Sequence, residues 1–161
     1  MVCTFAGHRP EKLPWHNDET DPRCVALKVQ IARAVEAAWH DGFTEFLCGM
    51  ARGCDFYFFD AVAQLRERAP NIYIEAILPC RSQSERWSEA NQRRYRDALA
   101  ACDLVIYNES EYSEGCMLRR NYAMIDRAQR IITVYDGSGG GTGSAVLYAG
   151  RHGVEIKPIW L

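Results

Sequence analysis

Two hydrophobic rhythms alternate along this chain. Short apolar runs bounded by Gly or Pro predict buried strands, and apolar residues three and four apart predict amphipathic helices. Val2–Ala6 is the first strand and ends at Gly7. Asp21-Pro22 offers a side-chain acceptor followed by Pro at the first helical position. Leu27, Ile31, Val35 and Trp39 then carry a helix to Gly42. Phe43–Cys48 is the second strand. Cys54–Arg68 is a helix with Phe58, Val62, Leu65 and Ala69 inward, and Ile72–Leu78 is a strand closed by Pro79. Ser82 with Glu85 forms a capping box, predicting a helix through Ala101 with Trp87, Tyr95, Ala98 and Leu99 on one face. Asp103–Tyr107 is the fourth strand. Ser113 or Gly115 opens a helix whose face is Leu118, Tyr122, Ile125 and Ala128. Strand Ile131–Tyr135, helix Ser144–His152 and strand Val154–Trp160 complete the series. This alternation with short connections predicts an α/β fold, one doubly wound domain over residues 1–161 with a mostly parallel sheet.

Composition narrows the function classes. With 161 residues and 48% hydrophobic content, a core forms without disulfide or metal staples. The net charge of −2 lacks the basic excess of a general nucleic-acid coat, so nucleic acid is not the expected partner. No apolar run approaches the ~20 residues of a membrane helix, and Met1–Gly7 lacks the basic and apolar segments of a signal peptide. A cytoplasmic protein is expected. Seven cysteines, an odd number without a C-x-x-C pair, predict free and mostly buried thiols. Cys54, Cys80 and Cys116 lie nearest to loops and are the candidates for reactivity. Neither a metal constellation nor a resident cofactor is implied.

The loops leaving the strands share a chemistry. In an open parallel sheet, ligands bind outside the carboxyl ends of the strands. There the chain places Gly7-His8-Arg9-Pro10, then Gly49-Met50-Ala51-Arg52-Gly53-Cys54-Asp55, then Pro79-Cys80-Arg81-Ser82. The fourth strand leads to Arg119-Arg120-Asn121, and the fifth to Asp136–Ser144 with its glycine run. Four of these five loops carry arginine. Glycines let backbone N–H groups approach a phosphate, helix N-termini favour negative charge, and guanidinium groups grip anions in bidentate fashion. The last loop lacks the Lys of a P-loop, and no dinucleotide-type G-x-G-x-x-G follows the first strand.

Gly7-His8-Arg9-Pro10, Gly49-x-x-x-Gly53-x-Asp55, Arg120-Asn121 with Ile125-Asp126, and the glycine–threonine loop together resemble the SLOG superfamily, in its YpsA-like branch. The resemblance runs through the whole chain in order. It implies a Rossmann-like fold that binds a nucleotide or an ADP-ribose-like derivative, as a homo-oligomer. The candidate ligand-binding residues are Gly7, His8, Arg9, Gly49, Arg52, Gly53, Asp55, Arg120, Asn121, Gly141, Thr142, Gly143 and Ser144. Phosphates are expected on the last glycine loop, with the base or second ribose toward the first two loops.

Relatives within the superfamily include DNA-processing proteins and phosphoribohydrolases. The latter carry a catalytic Glu soon after the glycine–threonine loop, but here Ser144 is followed by Ala-Val-Leu-Tyr, with no acid before Glu155. A binding module is therefore the leading reading and no catalytic residue is assigned. N-glycoside hydrolysis needs another carboxylate, for which Asp55, Glu109, Glu111, Glu114 and Asp136 are available; as bland alternatives, Asp55 caps a helix and Asp136 forms a turn.

Overall fold

The computed structural model describes residues 1–161. Its strands are β1 (Val2–Gly7), β2 (Glu45–Cys48), β3 (Tyr73–Leu78), β4 (Leu104–Tyr107), β5 (Arg130–Tyr135) and β6 (Glu155–Trp160). Its helices are α1 (Pro22–His40), α2 (Cys54–Arg66), α3 (Glu89–Ala101), α4 (Cys116–Arg127) and α5 (Gly141–Arg151), with a 3-10 turn at Pro10–Lys12. All six strands are parallel, in the order β4-β3-β2-β1-β5-β6. The expected doubly wound α/β architecture is present. The direction in which successive strands are added reverses between β1 and β5, where the connections switch from one face of the sheet to the other. No helix is long and apolar enough to cross a membrane.

Alternation along the strands divides the core into two unequal layers. Cys3 and Phe5 of β1 join Phe46, Ile74, Leu78, Ile132 and Val134 under α1, α2 and α3, in a cluster of 31 buried residues. Their alternates face α4 and α5 in two smaller clusters. One contains Ala6, Ile125, Ile131, Ala145 and Ala149, and the other Leu47, Ile77 and Met124. The thinner layer includes polar groups: Thr4 donates to the Leu47 carbonyl at 3.2 Å, and Arg120 is buried in α4.

Three local readings of the sequence are corrected. The third helix begins at Glu89, capped by Ser88, whose hydroxyl accepts the Asn91 N–H at 3.2 Å. The Ser82–Glu85 capping box does not form. Residues 81–87 turn instead, because Trp87 packs edge-on against Phe56 and Tyr95 at 6.0 and 5.3 Å. Gln83 also reaches back to donate to the Met50 carbonyl at 2.7 Å. In α4 the buried positions are Cys116, Arg120, Met124 and Ile125, while Tyr122 stacks on Tyr148 of α5 at 4.0 Å. Lastly, Gly141, Thr142 and Gly143 belong to the first turn of α5 rather than to the loop before it, with Gly140 as cap.

Candidate functional site

At the reversal point, where β1 and β5 send their following segments to opposite faces, the strand ends enclose a cleft of about 700 Å³. That volume lies within the range of small-molecule pockets. The segment after β1 supplies Gly7, His8, Arg9, Glu11 and Lys12, and the β2–α2 loop supplies Ala51, Arg52 and Asp55. The far walls are the starts of α4 and α5. Ten of the thirteen candidate residues line this cleft: Gly7, His8, Arg9, Arg52, Asp55, Arg120, Asn121, Gly141, Thr142 and Ser144.

Gly49, Gly53 and Gly143 stand behind it. Gly53 has φ +84°, and a Cβ there would come within 2.9 Å of the His8 carbonyl, so it is a glycine for packing the two loops together. A Cβ on Gly49 would meet the Arg120 guanidinium and the Asp55 carboxylate at 2.8 Å. One on Gly143 would strike the Ser138 carbonyl at 2.8 Å. Gly141, by contrast, faces open space.

Two helix N-termini converge on the cleft. α4 is capped by Gly115 and α5 by Gly140; neither has a side-chain cap or an acidic residue in its first turn. Side chains thus leave the first-turn N–H groups free, and both positive dipole ends point at the same space. Arg9 is exposed at the rim, and its side chain makes no hydrogen bond or ion pair within the chain. Arg52 is paired with Glu11 at 2.6 Å.

Arg120 plays a different part from the one its motif suggested. It is 2% exposed, and it donates to the carbonyls of Gly49 and Ile77 and, through Nε, to Asn121 Oδ1 at 2.9 Å. It ties α4 to the ends of β2 and β3. Burial lowers its proton affinity, and nearby Asp55 opposes that. Asp55 is not the cap of α2, since Gly53 holds that position; its Oδ2 accepts the Ala51 N–H at 3.0 Å. Burial pushes the Asp55 carboxyl above the usual carboxylate range, against the pull of Arg120.

His8 is buried, with Nε2 2.9 Å from Asp136 Oδ1, which also accepts the Ser138 N–H at 2.9 Å. The Ser138 hydrogen bonds, with His8 after them, hold Asp136 far below the usual carboxylate range. Asp136 thus closes a turn and fastens the β1 and β5 loops together.

Lys12 escaped the sequence reading. Its Nζ hydrogen-bonds to the Gly139 carbonyl and to Ser138 Oγ, and lies 2.8 Å from where a Cβ on Gly140 would stand. The lysine missing from the glycine loop is thus supplied from another loop across the cleft. Only its position, five residues after Gly7 on the same edge, hinted at this. Tyr112, Met117 and Leu118 at the start of α4 were also missed, because apolar residues near a helix start carry no binding signature.

A second chamber of about 500 Å³ opens beside the first and shares Arg9, Ala51, Arg52, Tyr112 and Met117 with it. Its remaining walls are Cys80, Ser82, Gln83, Glu85, Arg86 and Trp87. All seven cysteines are unpaired, and no three His, Cys, Asp or Glu side chains gather as a metal site requires. Burial holds the Cys54 thiol protonated, so it is no reactive thiolate.

Comparisons with known proteins agree with the fold. The model of the YspA SLOG family matches residues 3–156. A UPF0398 protein of Bacillus pumilus is 23% identical over 137 residues, covering 84% of this chain and 73% of that protein. The SPbeta prophage-derived protein YoqJ of Bacillus subtilis, itself uncharacterised, is 28% identical over 142 residues, 80% of this chain and 83% of that one. The UPF0398 protein YpsA of Bacillus subtilis is 23% identical over 137 residues, 84% and 76%. Among solved structures, DNA processing protein A from Helicobacter pylori, described for its single-stranded DNA binding mode, matches with a TM-score of 0.67 and 14% identity. The match covers 98% of this chain but 64% of that one, just under two thirds of its length. At that identity the likeness is one of fold.

Proposed function

Because this chain belongs to the YspA SLOG family, we propose that its cleft binds a small phosphorylated ligand derived from a nucleotide, as a sensing or sequestering module. One observation carries the reading: two helix N-termini without side-chain caps, the unpaired Arg9 and the cross-loop Lys12 all border one cleft at the reversal point of the sheet. An anion there would receive backbone N–H donors, two favourable dipoles and the charges of Arg9 and Lys12 without displacing a carboxylate. The formal charge of −2 conceals this edge, since the acids that balance it lie mostly elsewhere.

The test is one incubation of purified protein with AMP, GMP, ADP-ribose and NAD, followed by mass spectrometry of the retained and free fractions. A compound retained intact is the expected result; retention of none overturns the proposal.

A phosphoribohydrolase is the second reading, and Asp55 favours it. This carboxyl lines the cleft, is buried and holds its proton unusually tightly, as a general acid requires. Free base and ribose 5-phosphate in the unretained fraction would establish it. The fold neighbour adds a third arm, a labelled oligodeoxynucleotide titrated over a salt series, where a steep salt dependence would mark phosphate-backbone contacts. The proposal includes a homo-oligomer, supported by the exposed apolar side chains Leu104 and Ile106 on edge strand β4. Light scattering measures it.

A further inference from the structure

The second chamber differs chemically from the first, and the difference says what it holds. The helix that follows its β3 loop offers no open end: α3 is plugged by its own Ser88 and carries Glu89 in its first turn. It is therefore no second phosphate cradle of the kind formed by α4 and α5. What it offers is the aromatic and thioether side chains of Trp87, Tyr112 and Met117, set among guanidinium and other polar groups. Trp87 is held on edge by Phe56 and Tyr95, and the Arg52 guanidinium lies 6.0 Å from its ring centre. A rigid indole flanked by a guanidinium loses little freedom when a planar ring stacks on it.

Tyr112 adds a second ring at the lip between the chambers. It is 70% exposed and makes no hydrogen bond, so packing does not account for its placement. Arg86 on the far wall is exposed and has no ion-pair partner, whereas Glu85 beside it offers an acceptor. One donor group and one acceptor group beside two aromatic faces suit the polar edge of a heterocycle.

We propose that the second chamber, walled by Trp87, Tyr112, Arg86 and Glu85, receives an aromatic base joined to a phosphate-bearing part in the first cleft, with the linkage passing Arg9. This inference rests on the reading of the first cleft as a phosphate site. It makes the ligand two-headed, a nucleotide conjugate rather than a sugar phosphate alone.

The experiment compares three probes by calorimetry: ribose 5-phosphate, which has no aromatic base to stack; ADP-ribose, which adds a second phosphate, a second ribose and adenine; and ribose 1,5-bisphosphate, which adds a second phosphate without a base. The wild-type chain is expected to bind ADP-ribose at least about tenfold more tightly. The double variant Glu85→Ala, Arg86→Ala, altered only at exposed positions that line the second chamber and not the first cleft and checked by thermal melting, is expected to lose that advantage while keeping its affinity for ribose 5-phosphate. An advantage that survives in the double variant overturns the inference alone. Ribose 1,5-bisphosphate binding as tightly as ADP-ribose, and weakening equally in the variant, also overturns it, in favour of a second anion. Failure of the wild type to bind any of the three probes overturns the phosphate reading beneath it as well.

Discussion

Two arginines on the same cleft illustrate how burial decides what a residue is for. Arg120 spends its donors on the Gly49 and Ile77 carbonyls and sits beside the buried Asp55, so Arg120→Ala would take a buried donor from two carbonyls and the guanidinium that offsets the burial of Asp55. Removing one member of such a buried set costs about 3–5 kcal/mol, which a urea titration would show directly. Arg9 is exposed and unpartnered, and Arg9→Ala is expected to leave the urea midpoint unchanged while weakening ribose 5-phosphate binding by about tenfold. The glycines divide the same way. A methyl group at position 49 meets Arg120 and Asp55, so Gly49→Ala is expected to destabilise the fold by about 1–3 kcal/mol. At position 141 the methyl meets nothing, so Gly141→Ala should keep or raise stability while obstructing an anion at the α5 N-terminus. A calorimetric titration of the intact variant would show this as weaker phosphate binding. In the sequence these pairs look alike, Arg with Arg and Gly with Gly. Only their neighbours separate them.

Among the elements, helix α3 is the clearest case of tertiary contacts overriding a local signal. Ser82-x-x-Glu85 matches the capping-box pattern, yet Ser88 is the residue whose hydroxyl caps the helix. The two competing starts differ by six residues, and what separates them is long-range: Trp87 must reach Phe56 and Tyr95, and Gln83 must reach the Met50 carbonyl. Ser88→Ala is therefore expected to cost about 1 kcal/mol in chemical denaturation. Ser82→Ala should stay within about 0.5 kcal/mol of wild type. Displacing the helix start also releases residues 81–87 to wall the second chamber, so an error in reading one cap hides a whole pocket. α1 shows the opposite case: Asp21-Pro22 was legible because the Asp21 side chain caps the adjacent Arg23 N–H, a contact made within three residues.

For the whole molecule, the distribution of charge matters more than its sum. Glu19, Asp21, Glu36, Glu109 and Glu155 are each held below the usual carboxylate range, Asp21 at about 2 through its hydrogen bonds with Arg23. Such a group binds its proton less tightly in the fold than in the unfolded chain. It therefore stabilises the fold above its unfolded pKa, about 4, and that contribution is lost as pH falls through the folded value. Asp55, whose proton affinity the fold raises, contributes with the opposite sign. The urea midpoint should accordingly be nearly level from pH 7 to about 5 and fall steadily below about 4. A midpoint that rises on acidification would show Asp55 outweighing the five paired carboxylates.

The order of strands and helices and the gathering of the glycine and arginine loops on one sheet edge were legible in the sequence by itself. They rest on short-range rules, in which residues two to four apart share a face, a cap lies beside its helix, and strand-following loops in a parallel sheet share an edge. Tertiary structure alone decided that Arg120 turns inward, that Lys12 crosses to the glycine loop and that the β3–α3 segment encloses a second chamber. Each of these depends on which groups from distant parts of the chain meet in space, and on the cost of burying a polar group without a partner, which no local pattern encodes.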